Sequence, residues 1–80
     1  MNFRTLDLNL LRVFDEVMAE RNLTRAAKNL SMTQPAVSNS LRRLRDALGD
    51  DLVVRSGYGV VPTQQAIKIW PAVREALSSL

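Results

Sequence analysis

The chain has 80 residues, a formal net charge of +3, 46% hydrophobic and 24% charged residues, and neither cysteine nor histidine. That length holds one domain, with the balance of a folded chain rather than a disordered one. The missing residue types exclude disulfides, thiolate and imidazole metal sites and the commonest general base, so no metal and no cofactor is expected.

A core of this size is marginal alone, so pairing with a second chain is expected. Met1-Asn2-Phe3-Arg4 opens no signal peptide, and no apolar run is long enough to cross a membrane. The expected setting is cytoplasmic, without a membrane partner. Between Arg21 and Arg45 stand Arg21, Arg25, Lys28, Arg42, Arg43 and Arg45, with no Asp or Glu among them. The acids lie outside: Asp7, Asp15, Glu16 and Glu20 before, Asp46, Asp50 and Asp51 after. A cationic island in a near-neutral chain suits a polyanionic partner, although a solvated basic surface would look the same.

Asp7 is a good N-cap for a first helix, in which Leu10, Val13, Phe14, Val17 and Met18 recur at helical spacing as a buried stripe. Asp15, Glu16 and Glu20 lie off that stripe and read as a solvated face. Adjacent Asp15 and Glu16 diverge and make a poor catalytic pair. Asn22-Leu23-Thr24 breaks the pattern, and Thr24 can cap a short second helix from Arg25 to Leu30, with Ala26, Ala27 and Leu30 inward. Small side chains there let another helix pack close.

Ser31-Met32-Thr33 is a turn. Thr33 is the next N-cap, and Pro35 falls in the first turn of a third helix, where its missing N–H costs nothing. That helix runs to about Leu48, with Gly49 placed to end it in a left-handed conformation. Val37, Leu41, Leu44 and Leu48 form one apolar stripe; turning by about 100° per residue, the opposite face carries Pro35, Ser38, Asn39, Arg42, Arg43 and Asp46. Leu52-Val53-Val54-Arg55 reads as a strand, Ser56-Gly57-Tyr58-Gly59 as a turn and Val60-Val61 as the returning strand, a hairpin with Arg55 near its tip. Thr63 caps a last helix whose apolar stripe is Ala66, Ile69, Trp70, Val73, Leu77 and Leu80, and Pro71 inside it should kink it or loosen one turn.

Two helices joined by a short turn, the second with a polar and basic outer face, have the layout of a major-groove reader. The N-terminal residues of that helix offer Gln34, Pro35, Ser38 and Asn39. Asn and Gln can bond adenine edges, Arg can bond guanine, and Pro35 can only touch a thymine methyl. Arg42 can reach a base edge or a phosphate, whereas Arg43 and Arg45 suit phosphate, as do Thr24, Thr33 and helix N-termini. Arg55 on the hairpin suits a narrow minor groove. Each of these also has a plain structural role: Thr33 caps regardless, Arg45 can pair with an acid, Ser38 and Asn39 can simply be solvated. Three rival readings stay open: a helical module for an acidic protein partner, an enzyme working without His or Cys, and an RNA binder. The enzyme lacks a catalytic constellation, and the RNA binder would carry more stacking groups than 5% aromatics.

Gln34-Pro35-Ala36-Val37-Ser38-Asn39-Ser40-Leu41-Arg42-Arg43-Leu44, followed by Leu48-Gly49-Asp50-Asp51-Leu52-Val53-Val54-Arg55, closely resembles the DNA-binding domain of LysR-type transcriptional regulators. Leu23-Thr24-Arg25-Ala26-Ala27 and the Val61-Pro62-Thr63 exit agree with it. The opening Leu6-Asp7-Leu8-Asn9-Leu10-Leu11 is most similar to the subgroup of nodulation and aromatic-degradation regulators. The chain departs from the pattern at Val53, where Phe is usual, at Arg45, where many members have Glu, and at Ala66, where Gly is common.

The resemblance implies a mainly α fold: a winged helix-turn-helix over residues 6–63, with a three-helix core and a β-hairpin wing, followed by a long C-terminal linker or dimerisation helix over residues 63–80. It implies double-stranded operator DNA as partner, contacted through Thr24, Arg25, Thr33, Gln34, Pro35, Ser38, Asn39, Arg42, Arg43 and Arg55. It also implies a homodimer, with higher oligomers of the full-length protein left open. Ala66, Ile69, Trp70, Val73 and Leu77 would pair with their copies, because little else in so short a chain is left to cover them. A second, larger domain that binds a small-molecule inducer is implied and absent here, which makes the chain a fragment of a regulator rather than an enzyme.

Overall fold

The computed structural model describes residues 7–80. The expected domain start at residue 6, Leu6 of the opening motif and the Met1–Arg4 segment lie outside the described residues. Helix α1 spans Leu8–Glu20, α2 Leu23–Asn29, α3 Gln34–Leu48, strand β1 Val53–Ser56, β2 Gly59–Pro62 and α4 Gln64–Ser78. No helix among these is long and apolar enough to cross a membrane.

Helix α1 is the hub because its apolar residues cover more than one stripe. Leu10, Leu11, Val13, Phe14, Val17 and Met18 are all buried, and α2, α3 and α4 all pack against them. Asp7 is its N-cap, taking the Asn9 N–H at 2.8 Å. The helix stops without glycine: Arg21 adopts the left-handed region at φ 55° and its N–H donates to the Val17 carbonyl at 2.7 Å. The second helix begins earlier than expected. Asn22, extended at φ −149°, takes the Arg25 N–H on its side chain at 2.9 Å and is the cap; Thr24 already lies inside the helix. Both residues are good cappers, but a cap must have extended backbone, and Asn22 is the one placed so by the preceding left-handed residue.

Ala26 and Ala27 are buried, as close packing of α2 on α3 requires. The turn between them uses Ser31 at φ 55° and a Met32 N–H bond to the Ala27 carbonyl at 2.8 Å. On α3 the inward stripe is Val37, Leu41 and Leu44, with Leu48 only half-buried, and Gly49 ends the helix at φ 67°.

The wing is a two-stranded antiparallel hairpin pairing Val53 with Pro62, Val54 with Val61, Arg55 with Val60 and Ser56 with Gly59. Its two-residue turn holds Gly57 at φ 56°, a backbone state that glycine adopts without steric cost. Leu52, expected in the first strand, lies just before it at φ 66°. Asp50 fixes that bend: its Oδ2 accepts from the Leu52 N–H at 2.8 Å and from the Thr63 hydroxyl at 2.7 Å. Thr63 Oγ1 in turn accepts from the Ala66 N–H at 3.0 Å and so caps α4. One carboxylate thus ties the entry of the wing to its exit.

Helix α4 is one continuous element with Pro71 inside it. The carbonyl that Pro71 leaves without a helical partner belongs to Ile67, which is exposed, so water can satisfy it. One expectation is corrected: the apolar stripe of α4 is covered within the chain. Ala66, Ile69 and Val73 are buried in the same core as α1, and Trp70 and Leu77 pack half-buried on it. The Trp70 indole N–H donates to Asp15 Oδ1 at 2.8 Å, and Arg74 lies over the indole while its Nε stands 3.5 Å from the same oxygen. Asp15 is therefore a docking acceptor for α4 rather than part of a solvated face, and Glu16 accepts from Asn29 Nδ2 at 2.7 Å. A division at residue 63 separates elements, not cores. Leu80, expected in the stripe, is exposed.

Candidate nucleic-acid interface

The outer face of α3 is built by its cap. Thr33 Oγ1 takes the Ala36 N–H at 3.2 Å, and the Thr33 carbonyl takes that of Val37 at 3.1 Å. Pro35 has no N–H, so within this first turn the Gln34 N–H is the donor left for an outside acceptor. From this start the helix turns Pro35, Asn39, Arg42 and Arg43 to solvent and leaves Gln34 and Ser38 half-buried. Asn39 and Arg42 are not independent. The Arg42 Nη2 donates to Asn39 Oδ1, so the amide holds the guanidinium against the outer face. The other N–H groups of Arg42 and the Asn39 amide donors remain available to a ligand.

Three shallow clefts run across this side of the domain. The first is lined by Thr24, Gln34, Arg55 and the Gly57-Tyr58 tip, so the starts of α2 and α3 converge there with the wing. Pro35, Ser38, Asn39, Arg42 and Arg45 line the second. The third lies between α3 and the wing and contains Ser38, Arg45 and Arg55. The residues singled out from sequence therefore gather on one side. Arg25, Thr33 and Arg43 are exposed on the same elements but line none of the three.

None of Arg25, Lys28, Arg42, Arg43, Arg45 and Arg55 forms an ion pair among the described residues. A basic surface without counter-charges keeps its potential for an outside anion. Sequence reasoning missed Tyr58, which is fully exposed at the wing tip beside Arg55, and the Asn39–Arg42 bond. The spacing of Asn and Arg three apart on a helix was the available signal for the second.

The model of the bacterial regulatory helix-turn-helix proteins of the lysR family matches residues 8–67. The chain belongs to the LysR family. Among LysR-family relatives, it is 54% identical over 74 residues to the HTH-type transcriptional regulator LeuO of Escherichia coli (strain K12), covering 92% of this chain and 24% of that one. It is 48% identical over 80 residues to Nodulation protein D 3 of Rhizobium leguminosarum bv. phaseoli, covering 100% and 26%. This chain spans about a quarter of the length of these relatives.

Among solved structures, a probable transcriptional regulator, PA0477 from Pseudomonas aeruginosa, superposes with a TM-score of 0.90 at 44% identity, over 96% of this chain and 26% of that chain. A complex of the BenM DNA-binding domain with benA site 1 DNA superposes with a TM-score of 0.86 at 30% identity, over 92% and 83%. The helical order and the hairpin are thus those of the LysR winged helix-turn-helix, and the similarity to a nodulation protein agrees with the subgroup resemblance of the opening residues.

Proposed function

We propose that this LysR-family domain binds double-stranded DNA sequence-specifically, with α3 in the major groove and the wing at the adjacent backbone and minor groove. The observation that carries the reading is the outer face of α3, where Asn39 holds Arg42 against that face and, among the described residues, no acid pairs with the surrounding arginines. The similarity to a domain crystallised on DNA supports it. Asn39 and Arg42 are assigned to base edges, with Gln34, Pro35 and Ser38 beside them. Thr24, Arg25, Thr33 and Arg43 are assigned to the backbone, which positions the helix without reading sequence.

The acting unit is a homodimer joined through α4 in a cytoplasmic regulator whose further domain takes a small-molecule inducer; the domain itself performs no catalysis. Because Ala66, Ile69 and Val73 face α1, the partner meets the other side of α4, where Ile67 and Pro71 are exposed one turn apart.

The test is selection of preferred duplexes followed by binding titration of the preferred and a random duplex at several salt concentrations. Affinity should fall steeply with salt, and Arg42→Ala should cut the preference by roughly 10- to 100-fold, the worth of one bidentate base contact. Equal affinity for any polyanion would overturn the reading, and an unchanged preference would remove Arg42 from base recognition.

A further inference from the structure

Arg45 is the one half-buried arginine of α3, and it lines clefts on both of its flanks. Toward the helix end it neighbours Asp46, Asp50 and Asp51, yet it pairs with none of them within 4 Å. The carboxylate of Asp50 is already engaged by Leu52 and Thr63. On the other flank, the cleft between α3 and the wing has an apolar floor of Leu41, Val53 and Val60 and a polar rim of Ser38, Arg45 and Arg55. No acid lines it.

Two arginines thus border one small cleft with apolar core residues in its lining. Like charges bordering one cleft repel, and an anionic ligand between them relieves it. Guanidinium forks and a hydroxyl donor are the groups that match phosphate oxygens. The floor is filled by core side chains, so the ligand must sit at the rim rather than inside, as a phosphodiester of a long polymer does.

We propose that this cleft is a single phosphate seat: Arg45 from α3, Arg55 from the wing and the Ser38 hydroxyl share one backbone phosphate of the bound duplex. The assignment rests on the DNA-binding reading. It sets Arg55 at the phosphate edge of the minor groove, and it makes the wing and α3 grip the backbone jointly.

The experiment uses this chain, its preferred duplex and fluorescence anisotropy across a salt series. Each phosphate neutralised contributes a slope of about 0.9 in the logarithm of affinity against the logarithm of salt. Arg45→Gln and Arg55→Gln each lower the slope by less than that, and the double variant lowers it by about 0.9 rather than about 1.8. Arg45→Lys, which keeps the charge, restores most of the slope. Methylphosphonate placed at one phosphate at a time should reveal one position where the wild type loses affinity and the double variant does not. A double-variant loss of about 1.8, an unchanged slope, or two different sensitive positions for the two arginines would overturn the shared seat while leaving DNA binding intact. Absence of salt-dependent duplex binding by the wild type would instead remove the DNA-binding reading, and the seat with it.

Discussion

Replacing Asp50 by alanine removes the acceptor of two hydrogen bonds, from the Leu52 N–H at 2.8 Å and the Thr63 hydroxyl at 2.7 Å. Hydrogen bonds to a charged group contribute about 1.5–3 kcal/mol each, and the partial burial of this pair favours the low end. Leu52 also sits at φ 66°, a state that costs a branched L-residue roughly 1–2 kcal/mol and is held there by its bond to Asp50. Release of that strain offsets part of the loss, so the net destabilisation is about 2 kcal/mol. For a chain of 80 residues each kcal/mol lowers the melting temperature by about 4–8 °C, which gives a drop of roughly 8–16 °C. Thermal melting followed by far-ultraviolet circular dichroism measures it, and Asp50→Asn, which keeps an acceptor oxygen, should fall between. A melting temperature within about 3 °C of wild type would refute the reasoning, because water would then serve Leu52 and Thr63 as well as the carboxylate does.

Gly59→Ala would set a Cβ 2.3 Å from the Arg21 carbonyl oxygen, so the strand must shift by about 1 Å at a cost of roughly 1–3 kcal/mol. Urea denaturation should show it as a lower midpoint with an unchanged slope. Trp70→Phe loses the indole N–H bond to the Asp15 carboxylate and should destabilise by about 1.5–2 kcal/mol, whereas Arg74→Ala at the exposed edge of the same cluster should cost under about 1 kcal/mol; equal losses would show that the stacked arginine, not the hydrogen bond, docks α4. Ile67→Glu should weaken self-association in analytical ultracentrifugation while leaving the melting temperature of dilute protein within about 3 °C, because Ile67 is exposed. An unchanged association state would take this face out of the dimer.

Helices α1 and α3 were legible because each carries a clear apolar period between a side-chain cap and a stop. Asp7, Thr33, Gly49 and Thr63 act where their chemistry placed them. The start of α2 was not, since Asn22 and Thr24 are equivalent as cappers and only the left-handed turn at Arg21 chooses between them. The cover of α4 was not legible either. Periodicity says that Ala66, Ile69 and Val73 are buried but not by what, and the bond that seats this helix joins residues 15 and 70. On the candidate interface, residue types and helical phase gave the outer face of α3, while the convergence of Thr24, Gln34 and Arg55 depends on the path of the wing.

The wing is anchored on a backbone carbonyl outside the hairpin. The Arg21 carbonyl, at the end of α1, accepts the Val60 N–H at 3.0 Å, and the same helix carries α3 on its flank. Helix α1 therefore works as a caliper: its length and phase set the gap between the reading helix and the hairpin. One residue inserted into α1 would rotate its end by about 100° and advance it by about 1.5 Å, displacing the wing relative to α3 without altering a single contact side chain. Changes of operator preference in such domains can thus arise from a helix that carries none of the side chains assigned to DNA.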